Sequence, residues 1–402
     1  MTSQDDLGQV FGGVDTHDAT IHVAAVSDRG RDLEDREFPT TPAGYRRALA
    51  FLASFGEVIA VGIEGSSSYG AGIARAAVDE GLVVLEVMRP DRAERRRLGK
   101  SDPIDAYQAA RAAASMHRVT PVKSESVEGV RALHNARRSA MKARTAAMVQ
   151  IFHQLVVAPA VVREKYRALS GDKRITALAR MRINTTRPVA EQAVLEALKT
   201  LAARCQQLKA EHERLGKLLD QLVTEANPGL RGAYGVGPDT AAQLLITAGG
   251  NPDRFRSEAA FAALCGASPI PASSGKTVRH RLNRGGDRAA NSALHRIALV
   301  RMSSDPRTRA YVAQQREHGL SSKEILRKLK RAIAREVFRY LATPVTVPAV
   351  ADLRPLRRSK NLTLTSAANH FRVWPATISE LERGIRRDDN LADHYRHWLQ
   401  TA

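Results

Sequence analysis

Apolar and polar residues change their spacing several times along this chain, and each change marks an element. Val10 to Val14 and Ile21 to Val26 are short, β-rich apolar runs joined by the polar turn His17-Asp18-Ala19-Thr20. Asp28-Arg29-Gly30 is a second turn, and Leu33 to Phe38 returns as a third strand. Pro42 opens a helical stretch to Ser54. Val58 to Ile63 reads as a buried strand, Tyr69 to Glu80 as a helix stopped by Gly81, and Leu82 to Val87 as another strand. From Asp102 the spacing is helical again. The predicted order is β-β-β-α-β-α-β-α, an antiparallel meander followed by right-handed crossovers.

Val127 to Val157 is helical, and residues 158–189, with Pro159, Gly171 and Pro188, read as a connecting region. Val194, Leu201, Leu208, Leu215 and Leu222 then repeat every seven residues, with Leu198, Cys205, His212 and Leu219 between them. This is the a/d seam of a coiled coil. It fits equally an intramolecular helical hairpin or contact with a second copy. Asn227-Pro228-Gly229 ends that helix, and a mostly helical segment runs from Leu230 to Leu341. Pro344, Pro348 and Pro355, with Arg354, Arg357, Arg358 and Lys360, mark a linker before a small helical tail.

A chain of 402 residues accommodates two or three domains. Hydrophobic residues make up 43% but aromatics only 5%, so the cores rest on Ala, Leu and Val. Lys plus Arg number 62 against 42 for Asp plus Glu, giving a net charge of +20 and a pI near 10.5. A folded chain with this dispersed excess calls for a polyanionic partner, and nucleic acid leads. The only cysteines, Cys205 and Cys265, form no zinc-type pair and fit a reducing cytoplasm. No signal peptide and no membrane-spanning run is read from the sequence.

Four acids carry candidate chemistry. Asp15 ends the first strand and Glu64 ends the fourth, just before Gly65-Ser66-Ser67-Ser68. Asp102 and Asp105, three apart at a helix start, share one face. With the first and fourth strands adjacent and that helix packed across them, all four converge. Such oxygen ligands suit two magnesium ions for phosphoryl transfer. The plainer reading of Asp102-Pro103-Ile104-Asp105 is a helix cap, with Asp102 at the N-cap. Arg89, Arg92, Arg95, Arg96, Arg97 and Lys100 lead into Asp102 and suit a phosphate backbone over the metals.

Gly235-Val236-Gly237-Pro238 precedes a helix and resembles a helix-hairpin-helix phosphate cradle, or is a simple turn. Downstream, Ser273-Ser274-Gly275 is followed by Lys276, Arg279, Arg281, Arg284 and Arg288. Taken alone it is an ordinary loop, although a serine among cations can attack phosphorus.

Together these residues resemble the DEDD insertion-sequence transposases, also described as bridge-RNA-guided recombinases, over roughly residues 10–340. Asp15, Glu64, Asp102 and Asp105 match the four acids. The Gly-Val-Gly-Pro-x-Thr-Ala run, Arg254-Phe255, and Gly266 through Ser274-Gly275 match the C-terminal part. The resemblance implies an α/β RNase H-like, resolvase-like domain over 8–125 and a helical coiled-coil region over 126–226. A mainly α transposase domain over 227–345 carries the serine nucleophile, Ser274, with Ser273 as the fallback. It also implies recombination by cutting and rejoining DNA, and a structured guide RNA as partner. This chain departs from the family pattern at Gly286-Asp287, where Gly-Asn is usual, and Asn291 stands where an arginine is expected. Arg284 and Arg288 are candidates to stand in for it. Separately, residues 361–402 resemble the helix-turn-helix of phage-repressor-type regulators; a helical cap packed on Trp374 and Trp398 is the alternative.

Three other functions compete. A junction resolvase would need the acids but not Ser274, and a helix-turn-helix regulator leaves the acids unexplained. A sugar-kinase or actin-like ATPase fails for want of a second glycine-rich phosphate loop. The dispersed cations suit backbone contact more than base reading, consistent with site choice by a bound RNA in a homo-oligomeric, nucleoid-associated bacterial enzyme.

Overall fold

Alternation along one strand sets the architecture of the N-terminal unit. In β1 (Gln9–Thr16), Val10 and Val14 are buried on one face, where a β-carbon at Gly12 would run into Leu52. Phe11, Gly13 and Asp15 take the opposite face, as the two-residue period of a strand requires. In the computed structural model, residues 8–87, 101–117, 119–124, 127–251, 254–255, 257–271, 280–281, 285–343, 349–384 and 388–401 are described. The chain divides into two compact units, 1–125 with 248–256, and 126–247 with 257–402.

The first unit is built on a six-stranded sheet of order β3-β2-β1-β4-β5-β6. β2 (Thr20–Ser27) and β3 (Asp32–Pro39) complete the antiparallel meander with β1. β4 (Glu57–Glu64) and β5 (Val84–Val87) run parallel to β1. The predicted order of elements is present, with one addition, the short antiparallel edge strand β6 (Val119–Pro121). One face is covered by α1 (Pro42–Ala53) and α2 (Ala71–Asp79), whose Leu49, Phe51, Leu52, Ile73 and Ala77 meet Val10, Val14, Val61 and Ile63. The other face carries α3 (Asp102–Ser115), with Ala113 against Ala60 and Leu85.

Residues 248–256 belong to this unit although the chain reaches them much later. Arg254 pairs with Glu86 of β5 at 2.8 Å and donates to the Pro121 carbonyl. The Asn251 amide donates to the Val122 carbonyl at 3.1 Å, and the Ser124 N–H to the Gly249 carbonyl at 2.7 Å. The Arg254 and Glu86 side chains are only 12% and 19% exposed, so each satisfies a charge the other needs.

In the second unit, α4 (Glu128–Val157) and α7 (Val189–Ala226) form an antiparallel hairpin. Arg137 donates to the His212 carbonyl, and the Cys205 thiol lies 3.9 Å from the Arg144 carbonyl. The heptad pattern thus serves an intramolecular contact. Leu198, Cys205 and Leu219 are buried in it with Leu195, Ala202, Leu215 and Val223, while Leu201, Leu208 and Leu222 are only half-buried. The region 158–189 is not a plain connection. It holds α5 (Ala160–Arg167) and α6 (Gly171–Ala179), whose Val162, Tyr166, Ile175 and Leu178 join the hairpin core.

The remaining helices are α8 (Pro228–Gly232), α9 (Pro238–Ala248), α10 (Glu258–Leu264), α11 (Arg288–Ser304), α12 (Pro306–Glu317) and α13 (Ser322–Ala342). A tail of α14 (Leu353–Ser359), α15 (Leu364–His370), α16 (Pro375–Glu382) and α17 (Asp389–Thr401) follows. The tail has its own core of Leu353, Ala367, Ala368, Ile378, Leu381, Ala392, Tyr395 and Leu399. It therefore starts near Val350, upstream of the sequence boundary at 361. Trp398 stacks on His370 at 4.8 Å, whereas Trp374 is 81% exposed and anchors nothing. Among the described residues, no helix is long and apolar enough to cross a membrane.

Candidate carboxylate centre

Two glycines bring α3 down onto the sheet. A β-carbon on Gly13 would overlap the Ala106 carbonyl and the Ala110 backbone, and one on Gly62 would overlap the Ala109 carbonyl. The buried residues of α3 that make this approach are all alanines: Ala106, Ala109, Ala110 and Ala113. Small residues on both sides let backbone meet backbone, so the helix position is fixed with little freedom.

That approach delivers the acids. Asp15 lies two residues beyond Gly13 on the same strand face, and Asp102 one helical turn before Ala106. Glu64 lies two beyond Gly62, and Asp105 one turn before Ala109. β1 and β4 pair in parallel up to Val14 and Ile63, so Asp15 and Glu64 each stand one residue past that row. The Thr16 hydroxyl fastens the two strand ends by donating to the Glu64 carbonyl at 3.0 Å. Gly65 turns the chain sharply away at φ 70°, and the Ser68 hydroxyl donates to the Gly65 carbonyl.

Side chains of Asp15 and Asp102 converge on a residue the sequence reading assigned to a turn. The Nε2 of His17 lies 3.2 Å from Asp15 Oδ2 and 3.3 Å from Asp102 Oδ1. The three ligand atoms lie within 4.8 Å of one another. Asp15 Oδ2 and His17 Nε2 are both buried, yet neither makes a hydrogen bond of acceptable geometry. Two buried orphans beside a second carboxylate fit a divalent cation. The signal for His17 was available: it stands two residues after Asp15 on a strand-like path, hence on the same face.

The helix-cap reading of Asp102 does not hold. Ser101 is the N-cap, its own side chain makes no capping bond, and Asp102 is the first helical residue. Nearby, Tyr107 hydrogen-bonds to Asp35, and burial together with that carboxylate pushes its phenol up to about 12. Arg111 donates to both carboxylate oxygens of Asp32 at 2.6 Å. These contacts hold α3 against β3.

The other candidates divide. Arg89, Arg92, Arg95, Arg96, Arg97, Lys100, Ser273, Ser274, Lys276, Arg279 and Arg284 lie outside the described residues. Gly235, at φ 77°, turns the chain between α8 and α9, and space is open around Gly237. The hairpin is braced by Arg231 on the Val236 carbonyl and Arg301 on the Tyr234 carbonyl. The first turn of α9 carries an acid, Asp239, ion-paired with Arg137. Arg281 and Arg288 are exposed. The departure at Asp287 has a structural role: its carboxylate caps α11 on the Ala289 and Ala290 N–H groups and accepts from the Thr247 hydroxyl at 2.6 Å. Asn291 donates to the Cys265 and Gly266 carbonyls and accepts from buried Lys330 at 2.9 Å. Burial, then Asp287, pushes the Cys265 thiol up to about 12, which makes it a packing residue and not a nucleophile.

A mixed α/β sheet unit presenting paired acids, followed by a mainly helical region, defines the general class. Comparison with known families gives the particular one. A DEDD transposase model of the IS110 type matches residues 12–158, and the Transposase IS116/IS110/IS902 family model matches residues 229–313. The chain belongs to this family of IS110-type DEDD transposases. It is also 32% identical over 133 residues to the insertion element IS110 uncharacterized 43.6 kDa protein of Streptomyces coelicolor. That similarity spans about a third of each chain, 33% of this one and 32% of the relative.

Proposed function

We propose that the protein is the transposase, or recombinase, of a mobile insertion element, cutting and rejoining DNA at an RNase H-like carboxylate centre. The observation that carries this reading is the meeting of Asp15 and Asp102, from a strand end and a helix start, around the His17 ring nitrogen. Asp15, Glu64, Asp102 and Asp105 hold divalent metal, magnesium as two ions in the simplest form. The ions supply charge neutralisation at the attacking and leaving oxygens of a phosphodiester. The close packing of α3 on Gly13 and Gly62 would hold the carboxylates of the strands and the helix in place for such ions.

Ser274 is the proposed nucleophile, with Ser273 as the fallback. Its Oγ gives up its proton and forms a bond to phosphorus while the bond to one deoxyribose oxygen breaks, and that oxygen takes up a proton in exchange. Rejoining reverses the step with a new hydroxyl. Support comes from the family match, which spans 229–313, and from the cations Lys276, Arg279, Arg281, Arg284 and Arg288 in the same sequence. Arg89 through Lys100, with Gly235 and Gly237 of the braced hairpin, are proposed to bind the nucleic-acid backbone.

Partners in this reading are element and target DNA, a structured guide RNA that supplies sequence choice, and further copies of the chain. The setting is a bacterial cytoplasm at the nucleoid. The tail, with α15 and α16 joined by a tight turn through Arg372 at φ 52°, is proposed as a helix-turn-helix that adds DNA affinity. The test is strand transfer on a plasmid carrying the element ends. Asp15→Asn and Asp102→Asn are each expected to abolish it, and full activity in Asp102→Asn defeats the reading.

A further inference from the structure

The position of the His17 ring is not explained by hydrogen bonding. Its Nε2 is within 3.3 Å of two carboxylate oxygens, one on a strand and one on a helix, yet donates properly to neither. A proton on Nε2 lies in the ring plane along one direction. Were the ring placed to donate, that direction would fall on one oxygen. It falls on neither, which is how ligands disposed around a shared centre are arranged. Their lone pairs point at the centre, so the lines joining one ligand to the next make poor hydrogen bonds.

The spacing agrees. Ligands at about 2.1 Å from an octahedral ion, at right angles to each other, lie about 3 Å apart. The His17 Nε2 separations, 3.2 Å to Asp15 Oδ2 and 3.3 Å to Asp102 Oδ1, are close to that value. The third separation, between the two carboxylate oxygens, is below 4.8 Å, so the three atoms form one compact group. His17 follows β1 directly and the 17–20 turn is closed by the His17 N–H on the Thr20 carbonyl at 3.0 Å, so its backbone is tied down. The other histidine on this part of the sheet, His22, is 2.6 Å from Asp35 Oδ2 and has a partner of its own.

We propose that His17 is a ligand of the divalent ion held by Asp15 and Asp102, so that this site is a mixed nitrogen–oxygen centre and not a purely carboxylate one. The inference rests on the ion site of the proposed function. An imidazole nitrogen is a better partner for a transition ion than for magnesium, which favours oxygen and holds its waters. His17 therefore raises the affinity for Mn2+ relative to Mg2+ and narrows the choice of ion. It also links the end of β1 to the start of α3 through the metal.

Mn2+ serves as the probe, because its electron spin reports directly bound nitrogen. The full-length protein is titrated with MnCl2 and examined by electron spin-echo spectroscopy, alongside His17→Ala, His22→Ala and Asp102→Asn. The wild-type protein and His22→Ala are expected to show 14N coupling at the bound ion. His17→Ala is expected to lose the coupling and bind Mn2+ at least about tenfold more weakly, the loss seen when even an outer partner of a ligand is removed. Its Mg2+ affinity, read by competition, falls less. Mn2+ bound in an Asp102-dependent way without nitrogen coupling overturns the role of His17 and leaves the carboxylate site standing. Coupling that persists in His17→Ala also overturns it. Absence of any saturable Mn2+ binding by the wild-type protein overturns both readings.

Discussion

Gly13 of β1 lies directly beneath Ala106 of α3, so close that a β-carbon on the glycine would overlap the alanine carbonyl. Every later feature of the candidate centre depends on this approach, because it sets the height of Asp102 above Asp15. Gly13→Ala is expected to push the helix outward and destabilise the protein by about 1–3 kcal/mol, the usual cost of overpacking. Gly8→Ala, with open space around it, is the control and is expected to leave Tm unchanged. Thermal unfolding of the two variants side by side checks this. Equal Tm values would mean that α3 yields easily and that its packing does not set the site.

Ser274 is expected to become covalently attached to DNA. A suicide substrate, nicked so that the departing strand diffuses away, traps the adduct, and peptide mapping locates it. Ser274→Ala is expected to give no adduct and no recombinant product. Product without adduct from that variant would return the chemistry to water at the carboxylate centre.

The helical hairpin offers two kinds of substitution. Leu198 is fully buried between α4 and α7, and Leu198→Asp is expected to unfold the hairpin, since a buried leucine contributes about 1.5–3 kcal/mol and an unpaired charge adds to the loss. Leu201 and Leu208 are half-buried at its margin. If a second copy covers them, Leu201→Asp with Leu208→Asp lowers the mass in light scattering while helix content by circular dichroism is retained. Unchanged mass would assign the heptad pattern wholly to the intramolecular contact.

The tail core is held by one buried charge cluster. Arg357 Nε meets Glu382 Oε1 at 2.6 Å, and the Tyr395 hydroxyl donates to the same oxygen at 2.8 Å. The Glu382 hydrogen bond holds the Arg357 guanidinium above its ordinary pKa, and burial with the same carboxylate raises the Tyr395 phenol. Glu382→Leu leaves the arginine charge buried and unpaired, and the expected cost to the tail is about 3–5 kcal/mol. Rapid proteolysis confined to residues 349–402 is the readout, and an intact tail would show that the pair is dispensable.

Removal of residues 349–402 separates two ways of choosing a DNA site. With a guide RNA supplying the sequence, the truncated protein keeps its site and loses some affinity. If site choice vanishes, and full-length protein without RNA still finds its target, the tail is the reader and RNA guidance is refuted.

The sequence by itself determined the order of strands and helices from β1 to α3, and it singled out the candidate acids; β6 and the helices α5 and α6 were not legible in it. Strand alternation, the Pro42 and Pro103 helix starts and the placement of Asp15 and Glu64 at strand ends are local properties, written in neighbouring residues. The heptad pattern was equally local, but it could not name its partner, since the same stripe suits α4 or a second copy. Tertiary structure decided that α4 packs on the Leu198 and Cys205 side of the seam, that Leu201 and Leu208 stay half-buried, and that residues 248–256 join the first sheet through Arg254 and Glu86. It decided that Asp287 caps α11 and that Trp374 is exposed. It also brought His17 into the centre: its place two residues after Asp15 put it on the acid's side of the strand, but not beside a second carboxylate. Its meaning came from Asp102, remote in sequence and brought near by two glycines and four alanines that let a helix touch a strand. Such contacts depend on the distance between backbones after folding, a quantity that no run of adjacent residues encodes.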